Sequence, residues 1–248
     1  MNNVHVFASA QQNGIRVYAN RNHSFPAPIA IDVALDASNR ENLIIAELLA
    51  LQFVLSELDL AGEDRQHGIG IAIHCSHGAI RKLVRHQSAL AHLAPYAQFL
   101  CTRFVGAHIE IGHRRPGWAQ DDQLVAFHRV DTTPKPATIA SAFGDLLPTH
   151  HAMMRMVERQ VCQSPANAFQ VMGRHLRSTS TVQMDWTSAA SARCRQKYGK
   201  HSVLLYHPSS RTIYVVAHDK RLACPVIVTA YSVAPQYMTW AGIHRAAA

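Results

Sequence analysis

His151, Arg155 and Arg159 recur at intervals of four in the segment Thr149-His150-His151-Ala152-Met153-Met154-Arg155-Met156-Val157-Glu158-Arg159. On a helix that spacing stacks the three side chains along one stripe. Histidine titrates near pH 6.5 and can take or give a proton. Arginine holds a phosphate through two parallel N–H donors. A base, a cation and an acid are the parts that cleave RNA without a metal. The base takes the 2′-hydroxyl proton, the cation steadies the charged phosphorane, and the acid protonates the leaving oxygen. The same stripe is also what a solvated helix face looks like, with Met153, Val157 and Val161 making the opposite, apolar one.

Other residues of the C-terminal part suit the same chemistry. Thr229 and Tyr231 stand in the strand-like run Val226-Ile227-Val228-Thr229-Ala230-Tyr231, and Lys200 and Arg211 flank other strand-like runs. Tyr231 can stack a base, donate a proton, or simply pack. Arg193, Arg195, Lys197 and Lys200 surround Tyr198 in the run SARCRQKYGK. Cations interleaved with an aromatic suit a phosphate track with a stacking platform, and equally an exposed basic loop.

The charge is divided unevenly along the chain. Residues 1–144 hold twelve Lys/Arg and twelve Asp/Glu; residues 145–248 hold twelve Lys/Arg and four Asp/Glu. The net charge of +8 therefore belongs to the C-terminal part alone. Lysines and arginines that neutralise phosphates release counterions, so the basic part is the one to expect on a polyanion.

The N-terminal part has one residue out of place. On a helical wheel Leu43, Leu51, Val54 and Leu58 fall within roughly 40° of Glu47, while Glu41, Gln52, Ser56 and Asp59 lie on the far side. A carboxylate inside an apolar stripe must be paired, capped by a sheet edge, or used.

These residues need elements to hold them. The patterning predicts strands at 3–9, 14–19 and 28–35, a helix at 41–59 capped by Ser38-Asn39, and a strand at 69–75. It then predicts mostly helix over 77–100, a strand at 104–111 and a helix at 119–129. The stretch 131–148, with Pro134, Pro136, Pro148 and small residues, reads as a linker. Helices at 149–161 and 164–173 follow, then strands at 179–186, 202–207, 211–217 and 224–232. The expected division is 1–130, a linker at 131–148, and 149–248. The fold class is α/β followed by α+β: a mixed sheet with flanking helices, then two helices on a small antiparallel sheet.

The order of the first part, with NRENLIIAELLAL, then Gly112-His113, then an acidic segment, resembles the ribonuclease H fold. The resemblance covers roughly residues 3–130 and matches Glu47, His113 and Asp122 (with Asp121 a near alternative) to that family's site. Two of the family's acids are missing: the matching stretches are Ala8-Ser9-Ala10 and His74-Cys75-Ser76. Two-metal chemistry uses several carboxylates around two close ions, and Ser9 and Cys75 are poor replacements. The expectation is a degenerate site in which Glu47 and Asp122 hold a metal weakly or not at all. The cluster His74-Cys75-Ser76-His77 matches no common structural zinc spacing.

The second part, through HAxxRMxxR and Val226–Tyr231, resembles small RelE-like domains over about residues 149–233. That group includes toxins that cut RNA without a metal and members that are not enzymes. The resemblance implies His151, Arg155, Arg159, Thr229 and Tyr231 as the catalytic candidates.

The leading expectation is an RNA-directed protein of two domains. Its RelE-like part would be a metal-independent endoribonuclease of toxin type, needing no cofactor. One alternative is a ribonuclease-H-like nuclease using Mg²⁺ or Mn²⁺ on Glu47, Asp122 and unusual ligands such as Asp121 or Glu110. Another is a non-catalytic nucleic-acid-binding adaptor. Expected partners are RNA or another nucleic acid, with room for a protein partner or inhibitor. No apolar run reaches the roughly 18 residues that cross a bilayer. Five widely spaced cysteines without CxxC, and an N-terminus lacking a secretion signal, suit a cytoplasmic chain. Neither GxxxxGK[ST] nor GxGxxG occurs, which disfavours nucleotide hydrolysis and dinucleotide use.

Overall fold

The computed structural model describes residues 2–21, 27–62, 67–184, 188–218 and 224–233. The chain forms two compact units, 1–136 and 137–248. Each is built on a mixed six-stranded sheet.

The first unit starts as a meander. β1 (Asn2–Gln11) and β2 (Gly14–Arg21) pair antiparallel from Val4↔Arg21 to Gln11↔Gly14, and β3 (Ile29–Val33) pairs antiparallel with β2. The turn between β1 and β2 is Gln12-Asn13. Gly14 has φ +142°, and a Cβ there would meet the Val33 carbonyl oxygen at 2.8 Å, so the position needs glycine. After β3 comes α1 (Arg40–Ser56), whose N-cap Asn39 accepts from the Glu41 backbone N–H. Then follow β4 (Ile71–Cys75), α2 (Gly78–Val84), α3 (Ala94–Cys101), β5 (His108–Ile111) and β6 (Ala126–Val130). The sheet order is β5-β4-β1-β2-β3-β6, with β4 parallel to β1, β5 parallel to β4, and β6 parallel to β3. α1 packs across β1 and β2. The core holds Val4, Val6, Ile73, Leu48, Leu51, Val54 and Phe99.

One expectation for this unit fails. Residues 119–129 do not form a helix: a short 3-10 turn, Asp121–Gln123, leads into β6. The burial of Ala126–Val130 alternates residue by residue, the period of a strand, and a helix would need a longer apolar stripe. The run 77–100 is mostly helical, as expected, with a break between α2 and α3 where His86 has φ +55°.

The second unit starts inside the stretch read as a linker. β7 (Ile139–Ser141) and β8 (Gly144–Pro148) form a hairpin. α4 (His150–Glu158) and α5 (Pro165–Arg177) follow, then β9 (Val182–Gln183), α6 (Ala189–Tyr198), β10 (Val203–His207), β11 (Thr212–Ala217) and β12 (Val226–Ser232). The strand order is β7-β8-β12-β11-β10-β9. β12 runs parallel to β8, so this sheet is mixed and not antiparallel as expected. The last two residues of the strand expected at 179–186 lie outside the described residues. The run expected as a possible basic loop is α6, capped by the Ser188 hydroxyl, which accepts from the Ser191 N–H, and ended by Gly199 at φ +98°. The unit therefore has three helices, not two, among the described residues.

No helix among the described residues is long and apolar enough to cross a membrane.

Candidate functional site

In the first unit α1 carries Glu47 into the core, where it is fully buried. Its carboxylate meets the residues that follow β4. Oε1 accepts from the Ser76 backbone N–H at 2.5 Å, and Oε2 accepts from the Ser76 hydroxyl at 2.9 Å. His77 Nδ1 lies 2.5 Å from Oε2 and 2.9 Å from the Ser76 hydroxyl oxygen. These donors replace the water lost on burial, which is how a carboxylate survives in an apolar helix stripe. Burial, with the Glu47 charge adding to it, pushes the Cys75 thiol well above its usual range. Cys75 is thus a protonated packing residue and not a thiolate ligand. His113, exposed just beyond β5, points Nδ1 at the Ser76 backbone oxygen at 3.3 Å.

The acids expected to join Glu47 sit elsewhere. Asp122 is exposed on the 3-10 turn. Asp121 accepts from the Tyr18 hydroxyl at 2.8 Å and from Arg16 at 3.1 Å. Those contacts, Tyr18 first, hold its carboxyl below the usual range. Arg16 also grips Asp32 through two bonds of 2.8 and 3.0 Å. Glu110 lies 3.2 Å from His74 Nδ1 and 3.4 Å from His108 Nε2. Ser9 stands opposite Arg16 on β2. Among the described residues no three His, Cys, Asp or Glu side chains gather as a metal site would require. The donor set does not suit a pair of Mg²⁺ or Mn²⁺ ions: Glu47 spends both oxygens inside the protein, and Asp121 is tied to Tyr18 and Arg16.

In the second unit three elements bring cations and phenols together. Lys197 of α6 lies over the Tyr198 ring, 5.1 Å from its centroid. Tyr198 and Tyr231 of β12 share a hydrogen bond. Burial, with that bond next, raises the Tyr231 phenol above its ordinary range, so it stays protonated at neutral pH. Lys197 is raised as well, first by its hydrogen bond with Tyr198, and it is close enough to Arg155 of α4 to feel that charge oppose it. Tyr231 is 38% exposed and so open to a ligand. Arg155 forms an ion pair with Glu158 at 2.5 Å.

The remaining candidates fall around this group. His151 is exposed one turn before Arg155, on a helix whose Thr149 N-cap hydroxyl accepts from the Ala152 N–H at 3.0 Å. Arg159 is the exposed C-cap of α4. Thr229 is 3% exposed, opposite Val215 on β11, and so is a buried strand residue closed to a ligand. Arg193 is exposed and Arg195 half-buried on α6, Lys200 is exposed just after it, and Arg211 is exposed at φ +52° in the β10–β11 turn.

A second polar group in this unit had no sequence signal beyond a turn at His207-Pro208-Ser209-Ser210. His175, on the last turn of α5, stacks on His207 with centroids 4.1 Å apart and planes at 9°. The Tyr214 hydroxyl lies 2.6 Å from His175 Nδ1, and the Ser210 hydroxyl lies 2.7 Å from His207 Nδ1. The Ser210 backbone N–H also donates to His207 Nδ1. Burial, then the neighbouring His207 and Arg174 charges, pushes His175 down from 6.5 to about 4; burial lowers His207 too. Both rings are therefore neutral in the fold at neutral pH. Below about pH 6.5 the unfolded chain takes protons that the folded one refuses. Stability should be complete above that pH and fall as the pH drops towards 4. After discounting for solvent screening the loss from His175 is about 1–2 kcal/mol. Denaturation at pH 7.5 and 4.5 measures it, and His175→Gln should flatten the acid limb.

No family model matches this chain, and neither does any curated protein or solved structure.

Proposed function

We propose that the protein acts on RNA, with the second unit as a RelE-like binding and metal-independent cleaving module. The first unit is then a ribonuclease-H-like scaffold that has lost its two-metal site. The observation that carries the reading is the meeting of Lys197, Tyr198 and Tyr231 from α6 and β12, with Arg155 of α4 within electrostatic reach of Lys197. Two cations beside two phenols suit a phosphate with an unstacked base next to it. His151 takes the 2′-hydroxyl proton, Arg155 and Lys197 neutralise the phosphorane, and the protonated Tyr231 donates to the leaving 5′-oxygen. In the first unit the meander β1–β2–β3, followed by parallel β4 and β5 with Glu47 held at the end of β4, supports the likeness to ribonuclease H.

A non-catalytic adaptor is the second reading. It is favoured by the Arg155–Glu158 ion pair, which occupies the guanidinium that the chemistry needs.

Binding to a single-stranded RNA oligonucleotide across a salt series tests the interface. Affinity should fall steeply with salt, and Arg155→Ala and Lys197→Ala should each reduce the slope of log K against log salt by roughly 0.7. A salt-insensitive interaction, or slopes untouched by both substitutions, would reject the face.

A further inference from the structure

We propose that the first unit carries its own metal-independent site for cleaving RNA, made of His77 and His113 and oriented by Glu47. The inference is independent of the reading of the second unit.

Hydrogen accounting around Glu47 fixes the roles. An ionised carboxylate only accepts, so His77 Nδ1, at 2.5 Å from Oε2, carries a hydrogen. The lone pair of a neutral His77 is then on Nε2. The Ser76 hydroxyl gives its hydrogen to Glu47, and the facing His77 nitrogen has no lone pair to take it. A serine nucleophile activated by this histidine is thereby ruled out. What is left is a histidine base whose tautomer and ring position are held by a buried carboxylate, the role an acidic partner plays for a catalytic histidine.

His113 supplies the second half. A carbonyl oxygen only accepts, so His113 Nδ1 donates to the Ser76 oxygen, and its Nε2 is the remaining proton-carrying position. Both histidines are thus tethered beside Ser76 through Nδ1, His77 by the Glu47 carboxylate that also holds Ser76 and His113 by the Ser76 carbonyl. His77 is partly exposed and His113 is exposed.

The surroundings favour an anionic substrate. No Asp or Glu occurs between Asp64 and Glu110. Within that stretch α2, which begins directly after His77, exposes Arg81 and Lys82, and Arg85 is exposed at its end. Arg114 is exposed next to His113. An acid–base pair without a metal needs a nucleophile already present in the substrate, and the 2′-hydroxyl of RNA is one. His77 Nε2 takes the 2′-hydroxyl proton as the O2′–P bond forms. The P–O5′ bond breaks, and the imidazolium of His113 returns a proton to O5′. The products are a 2′,3′-cyclic phosphate and a 5′-hydroxyl. DNA, lacking the hydroxyl, is not cut. His77 and His113 are the catalytic residues and Glu47 is a positioning residue.

The test uses the full chain carrying His151→Ala and Arg155→Ala, so that the second unit is silent, with end-labelled RNA in EDTA. The expected result is cleavage to cyclic-phosphate ends that stops at a linkage made 2′-deoxy. His77→Ala and His113→Ala should each lower kcat by roughly 100-fold or more with KM little changed. Glu47→Gln should lower kcat with KM held, and the ¹⁵N shifts of His77 should show its Nδ1–H tautomer lost. His113 is exposed, so His113→Ala keeps the test open if the other variants fold poorly. Absence of cleavage in the doubly substituted background, cleavage that needs a divalent metal, or full activity in His113→Ala would each overturn the proposal.

Discussion

Glu47→Ala should destabilise the first unit by about 3–5 kcal/mol, the cost of stripping one partner from a buried, hydrogen-bonded charge. The carboxylate is fully buried and accepts from the Ser76 N–H, the Ser76 hydroxyl and His77. Alanine leaves all three donors facing a cavity, and each orphaned donor is worth about 1–3 kcal/mol. Part of that sum is recovered as water or neighbours fill the space. Glu47→Gln should cost less, since its carbonyl oxygen still accepts while its NH₂ confronts a donor. Urea denaturation, with hydrogen exchange read at the amides of α1, measures both. A loss under 1 kcal/mol for Glu47→Ala would mean that the carboxylate is not held as described.

The second large effect concerns RNA cleavage by the second unit. Arg155→Ala should slow cleavage by roughly 3–4 kcal/mol, on the order of several-hundred-fold, as one donor to a developing oxyanion is lost. Arg155→Lys should recover little of this, since a point charge does not replace a bidentate fork. His151→Ala removes the proposed base and should cost roughly 10²–10⁴-fold. Both residues are solvent-accessible on α4, whose buried side is made by Ala152, Met153 and Met156. The fold should therefore survive both changes, and unaltered thermal unfolding checks that. Tyr231→Phe keeps the ring and removes the proton donor, so it should lower kcat more than RNA affinity. Single-turnover rates on a defined RNA, in a His113→Ala background so that the first unit does not contribute, separate these contributions from binding.

Glu47 was legible because a carboxylate among leucines contradicts the helix pattern around it. Its partners were not, because Ser76 and His77 reach it only once β4 and α1 are packed together. The meander and the α1 cap followed from local signals: Gly14 after a turn, alternating apolar residues, and Asn39 before a helical run. β6 was misread because its short apolar run fits either period until burial is known. β7 and β8 were hidden by the prolines and small residues around them, and the pairing of β8 to β12 depends on a strand far along the chain. α6 has few apolar positions, so its run of cations reads as a basic loop and the helix shows only in the structure. In the second unit the charge excess was visible in composition. The meeting of Lys197, Tyr198 and Tyr231 was not, because it rests on α6 lying beside β12. The stacking of His175 on His207 likewise joins the end of a helix to a hairpin turn, which no sequence spacing predicts.

Incubation of the full-length protein with labelled RNA, DNA and RNA–DNA hybrid, in EDTA and again with Mg²⁺ or Mn²⁺, tests the central claim most directly. The account predicts cleavage of RNA alone, undiminished by EDTA, with 5′-hydroxyl product ends. Cleavage confined to the hybrid and abolished by EDTA, or no cleavage of any substrate under either condition, would contradict it.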